Sequence, residues 1–325
     1  MLRQLATFLL RRSVHALLIL TLASLLAFTL GSIAPGDYFD DMRVNSAISP
    51  ETLAKLRSDY GLDRPAPERY LHWVRSIAWG QWGFSFAYNS PAGPILLSRC
   101  RNTLLLTCTA TLLAWLAALG CGALSAMKEG SLADLLVTGV NASLLAVPEV
   151  VIALCGLLFA VQTGLFPVGG LVSLGESNGE TWAHIRDLVR HLALPAIVLA
   201  AGLLPLLLSH VRDALSEVLR SPFIEAAEAS GIPPGRILFR HAFPAAANPL
   251  ITLFGTSIGM LISSSLLTEA VFGWPGLGQL MLEAIEARDF FLVMDSAMLS
   301  TGFFLVGGLI ADVLLFSADP RIRAH

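Results

Sequence analysis

The chain is poor in charge, and above all in lysine. Only 14% of its 325 residues are Asp, Glu, Lys or Arg, where about 25% is usual for soluble domains. Its basic residues are arginines apart from Lys55 and Lys128. A phosphate-cradling P-loop requires Gly-x-x-x-x-Gly-Lys-Ser/Thr; neither lysine stands in that context, so no nucleotide site of this kind is encoded. The net charge of −3 provides no basic footprint for nucleic acid. Four cysteines (Cys100, Cys108, Cys121, Cys155) include no C-x-x-C pair and are read as buried free thiols. The histidines are scattered without ligand spacing, and neither a nucleophile motif nor a catalytic carboxylate pair is present. Metal sites and catalytic residues are therefore expected to be none.

Apolar residues are abundant. They make up 55% of the chain, and mean hydropathy is +0.69. The length alone suggests about two soluble domains, but so few charges could not cover that much apolar surface, and an all-α polytopic membrane protein is expected. Six runs approach the roughly 20 residues needed to cross a bilayer: about 14–33, 103–127, 137–163, 192–210, 249–272 and 296–317. The first follows Arg3, Arg11 and Arg12 but lacks a clear small-x-small cleavage signal, so it is read as a retained anchor. With the N-terminus inside, ten Lys/Arg residues fall on inner segments and three (Arg186, Arg190, Arg288) on the short outer loops. The positive-inside rule then predicts cytoplasmic termini.

Three regions follow: 1–33, an outer segment 34–102, and a five-helix core 103–325. In the outer segment, Ser49-Pro50-Glu51 opens a helix that Gly61 closes, and a second helix spans about 67–79 with Tyr70, Val74 and Ile77 on one stripe. Trp79, Trp82, Phe84, Phe86 and Tyr88 form an aromatic group read either as an interfacial cap or as a docking surface.

The inner loop 211–248 carries the most specific signal. Ser221-Pro222 is cap-then-proline chemistry; a short helix follows to Ser230, and Gly231 permits the left-handed turn that ends it. Pro233-Pro234 opens the next helix. Helices this short are marginal in water, so with Phe223 and Ile224 aboard they need a surface to pack on.

Glu225-Ala226-Ala227, three residues, then Gly231 resembles the EAA loop of permease subunits of binding-protein-dependent ABC importers. Arg240-His241-Ala242-Phe243-Pro244 and Asn248-Pro249 are similar to its continuation in the dipeptide, oligopeptide and nickel branch. So are Pro35-Gly36-Asp37, the segment 60–65, the segments 80–85 and 269–278, Ala287-Arg288-Asp289 and the terminal 319–323. Gln81 replaces a usual aspartate, and Gly307 a common asparagine. The resemblance implies a type I importer permease that forms half of a pathway for peptides or a related solute in a bacterial inner membrane. It also implies as partners two ATPase subunits that bind ATP and Mg, a second, homologous permease and an external solute-binding protein. The ATPase-coupling residues would be Phe223, Ile224, Glu225, Ala226, Ala227 and Gly231.

Within the spans, an acid at mid-bilayer costs about 2.5–3.5 kcal/mol on insertion scales. Glu149 follows Pro148 halfway along the third run and is either a wall of the passage or a hydrogen-bonded acid at a helix contact. Glu269 and Asp312 are expected to pair structurally. Gly255, Gly259 and Ser263 form a small-residue stripe that permits close helix approach; the resemblance implies that this span borders the central pathway, so that the stripe faces either the passage or a second permease. A stripe on the second run, Ala110, Ala114, Ala118 and Gly122, is read as packing. The alternative function, a stand-alone secondary transporter or channel, should show inverted repeats, and none is evident.

Overall fold

The computed structural model describes residues 2–33, 63–173 and 181–318, with single positions at 36, 38, 39, 51, 55, 58 and 61. The helix expected to open at Ser49 and the motif 319–323 lie largely or wholly outside the described residues.

Twelve α-helices and one π-helical turn are described: α1 Leu2–Ile33, α2 Ala66–Ala78, α3 Ala92–Met127, α4 Leu132–Ala146, α5 Glu149–Thr163 and α6 Thr181–Leu219, then α7 Pro222–Ala229, α8 Pro234–Ile237, the π turn Leu238–Ala242, α9 Phe243–Ala245, α10 Ala247–Val271, α11 Leu277–Glu286 and α12 Phe290–Ala318. A two-residue antiparallel ladder pairs Phe84 with Pro91 and Ser85 with Ser90, with Asn89 in the left-handed region (φ 48°) between them. Among the described residues five helices are long and apolar enough to cross a membrane, and the bent α4–α5 pair makes a sixth if it is counted as one span.

That third span is not the single helix the apolar run suggested. It bends by 101° between α4 and α5. The cause is local: Pro148 pushes Val147 into extended backbone (φ −98°, ψ 122°), and it has no N–H with which to continue the helix. The fourth span is also longer than expected. α6 runs 39 residues, through Pro195 and Pro205 and on past His210 to Leu219.

The chain divides into two compact units, residues 1–10, 104–274 and 303–325, and residues 11–103 and 275–302. In the first, α6 is the hub, packing against α4, α5 and α10. Leu199, Leu207, Val211 and Leu215 are fully buried there together with Ala110 and Ala118, and Gly122 leaves room for Val211. The alanine stripe is thus core packing. In the second unit, Phe28, Trp73 and Met294 form a cluster. The Tyr70 hydroxyl meets Ser24 Oγ at 2.8 Å and Trp73 Nε1 donates to Asp295 Oδ1 at 2.9 Å. Asp289 starts α12 and accepts from Ser85 Oγ at 2.8 Å and from the Ala87 N–H at 3.1 Å, which ties the hairpin to the helix. The aromatic group splits, with Phe86 buried against Phe39 and Trp79 76% exposed. The cysteines are free, but Cys108, Cys121 and Cys155 are exposed on the isolated chain rather than buried.

Candidate functional site

The segment after α6 is a folded arm. Pro222 occupies the first turn of α7, where its missing N–H costs nothing. Glu225 lies in the same first turn, complementing the helix dipole. The helix closes with the N–H of Ile232 on the Ala227 carbonyl (3.2 Å) and that of Gly231 on the Glu228 carbonyl (2.9 Å). This paired closure needs a left-handed residue, and Gly231 supplies it at φ +77°. The chain then re-enters helix at Pro234 and widens into the π turn 238–242, whose Phe239 stacks on Phe243 of α9 at 5.7 Å.

The arm has a held side and a free side. Ile224, Ile237, Leu238, Ala242 and Ala246 are buried within the chain. Phe223, Glu225, Ala226, Glu228, Gly231, Phe239 and Arg240 are exposed, and Ala227 is intermediate. Ile224, grouped from sequence with the coupling residues, has no exposed surface. It is an anchor of the arm, and only the other five residues of that group can be offered outward.

The end of α6 that leads into the arm is fastened twice. Arg212 Nε and Nη2 donate to the two carboxylate oxygens of Asp134 at 3.1 and 3.2 Å, and Nε also donates to Ser125 Oγ at 3.0 Å. The Arg220 guanidinium pairs with Glu129, at the position just before Ser221.

The four residues read as pathway lining do not converge. Glu149 opens α5 directly after Pro148, at the bend about halfway along the third run. Its carboxylate is half-buried, accepts from Thr268 Oγ1 at 3.1 Å and lies against Gly202 of α6, where an added Cβ would sit 3.3 Å from it. Gly255 and Gly259 turn elsewhere, seating Ala311 and the Phe304 ring of α12. Gly307 reciprocates, with a Cβ there 3.4 Å from the Gly255 carbonyl. The glycine stripe is therefore an intrachain helix crossing, and the glycine at 307 fits that crossing. Ser263 is exposed, on a strip of α10 with Thr252, Thr256, Met260 and Leu267 that the sequence reading missed. Its signal was present as hydroxyl residues at spacings of four and seven, masked by the glycines beside them. Glu269 is fully buried and accepts from Ser265 Oγ at 3.2 Å.

Two family descriptions match the chain: "Binding-protein-dependent transport system inner membrane component" over residues 118–324 and the N-terminal component of the same system over residues 5–106. The chain belongs to this family of transport permeases. The oligopeptide transport system permease protein AppB of Bacillus subtilis is 33% identical over 320 residues, covering 98% of this chain and 99% of that protein. The dipeptide transport system permease protein DppB of Escherichia coli is 32% identical over 320 residues, covering 92% and 94%. Pseudomonas aeruginosa has a di/tripeptide DppB at 33% identity over 317 residues, with the same coverage. In structure, a chain of the inward-facing MetNI methionine ABC transporter aligns with a TM-score of 0.54, covering 69% of this chain and 96% of that one at 18% identity. That likeness establishes the type I importer fold. This permease is thus a multi-pass inner-membrane subunit of an ABC importer, working with an ATPase and a solute-binding protein and having no enzymatic role of its own.

Proposed function

We propose that this permease carries peptides inward as one of two homologous permeases, gripped from the cytoplasm by two ATPase subunits. Both termini and the arm 220–246 lie on the cytoplasmic side, ATP and Mg are bound by the ATPases, and an external binding protein delivers the peptide. The relatives named for oligopeptide, dipeptide and di/tripeptide transport support that substrate class. One observation carries the mechanical part: α7 is held by the single fully buried Ile224 and turns Phe223, Glu225 and Ala226 outward. A two-turn helix with so little of its surface held inside the chain is marginal in water, and a partner covering it would stabilise it. Ala226 and Ala227 let a partner backbone approach closely, and Gly231 fixes where the next helix points.

Glu149 is the residue proposed to face the passage. It is half-exposed beside Gly202 on the isolated chain, and an acid facing lipid at that depth would be costly. Thr252, Thr256 and Ser263 are proposed to line the same passage from α10.

Cysteine placed at 226 in the assembled importer tests the arm. Zero-length or short bifunctional cross-linking should yield an adduct with the ATPase that weakens when ATP is trapped. Cross-links only to the chain's own helices would defeat the assignment.

A further inference from the structure

We infer that the Asp134–Arg212 pair is a positioning device that makes α4 travel with the end of α6, so that motion of the arm reaches the bend at Val147-Pro148. This rests on the coupling role proposed for the arm and goes beyond it. Three segments meet at one carboxylate. Asp134 of α4 accepts from Nε and Nη2 of Arg212 on α6, from the Ser125 hydroxyl on α3 and from the Gly130 N–H, at 3.0 Å, in the α3–α4 turn. Ser131 caps α4 by accepting the Asp134 N–H at 3.3 Å, so the carboxylate and the first turn of its helix are fixed together. Both partners are largely shielded, with side-chain exposure of 9% for Asp134 and 23% for Arg212. Backbones are close here too: a Cβ at Gly122 would come 2.8 Å from the Val211 side chain and 3.3 Å from the Arg212 nitrogen. The second pair, Glu129–Arg220, fastens the same turn one residue before the cap of α7.

A planar guanidinium held by two parallel bonds resists both sliding and rotation, which a single ammonium contact does not. Displacing α7 therefore moves the inner ends of α6 and α4 as one body. The first place where the two can part is beyond Ala146, where α4 ends and the chain bends by 101° into α5. Asn141 of α4 supports the same conclusion, since its Nδ2 donates to Ser209 Oγ of α6 at 3.0 Å. The first residue past the bend is Glu149, held by Thr268 of α10. The pair thus directs the stroke of the motor to the carboxylate proposed to face the passage. Arg212 and Asp134 touch neither peptide nor nucleotide; they act through the helices they join.

The test uses the assembled importer in nanodiscs, its four cysteines replaced by alanine and spin labels placed by new cysteines at Leu136 and Glu217, both exposed. Electron–electron distances are compared between the nucleotide-free and the ADP–vanadate-trapped states. The 136–217 distance should stay constant while a 136–256 pair shifts. A change at 136–217 in the otherwise native protein overturns the inference. If neither pair shifts, the inference falls as well, and cross-linking from position 226 then reveals whether the arm assignment fails with it. In D134N the 136–217 distribution should broaden on trapping, and labelled trialanine moved per ATP hydrolysed should fall about tenfold with ATP turnover maintained. R212K should fall between D134N and the native protein. An unchanged transport-to-hydrolysis ratio in D134N overturns the inference even if the variant assembles normally.

Discussion

The arm 220–246 and the crossing of α10 with α12 solve opposite problems with similar residues. Both are rich in glycine and alanine. At the crossing, Gly255, Gly259 and Gly307 bring two helices so close that an added Cβ meets backbone or a ring. In the arm, an added Cβ at Gly231 meets nothing within 4 Å, and Ala226 lies open. Small residues at the crossing fill a joint that is already closed. Those in the arm leave a surface open on the isolated chain, the one proposed above to receive the ATPase. Sequence alone shows the glycines in both places but not which kind each is, because only the neighbouring chain distinguishes them.

The sharpest way to break this contrast is Gly255→Leu. It forces a side chain into Ala311, and overpacking of this kind costs about 1–3 kcal/mol or more; immunoblots of membranes should show little chain and uptake assays none. A well-inserted, active Gly255→Leu protein would mean that the crossing is not a fixed joint. For uptake, the next largest effect is that of Gly231→Ala, where the left-handed backbone costs a non-glycine residue about 1–2 kcal/mol. The chain should reach normal levels while peptide uptake falls severalfold; equal losses of both would place Gly231 with the crossing glycines. Neighbouring residues then divide the arm itself. Ile224→Ala leaves a cavity that costs about 2–5 kcal/mol, so limited proteolysis should cut the arm faster. Phe223→Ala should leave the cleavage rate alone and weaken retention of the ATPase during purification. The smallest effects belong to the passage. Glu149→Gln keeps an acceptor for Thr268, so uptake should change severalfold with no change in the amount of protein. Gly202→Ala, pressing on the same carboxylate at 3.3 Å, should shift it in the same direction by less.

Much of the architecture was legible because hydrocarbon thickness imposes a length on each span, and all six apolar runs correspond to helices or a helix pair. The arm was legible because its boundaries are local chemistry: proline in the first turns and a left-handed glycine at the stop. What escaped the reading depends on distant partners. Arg212 and Asp213 looked like the start of a loop, yet α6 continues through them because Arg212 turns inward to Asp134. The bend at Val147-Pro148 was hidden by an unbroken apolar run, since hydropathy does not record direction. Ile224 reads like any apolar residue on a two-turn helix, and only the core behind it shows that it faces inward. The hairpin at 84–91 was invisible because two-residue strands carry no periodicity; Asn89 in the left-handed region and the Asp289 carboxylate hold it instead.

The reach of α6 has its own consequence. At 1.5 Å per residue, its 39 residues extend about 58 Å, nearly twice the roughly 30 Å hydrocarbon thickness. Pro205 interrupts its hydrogen-bond ladder, and about 21 Å of rod separate that proline from Leu219. A swing of about 10° at this pivot sweeps the far tip through nearly 4 Å by the same geometry. If the arm is pulled as proposed, a movement of that tip on the scale of a side chain asks for only a small rotation at the proline.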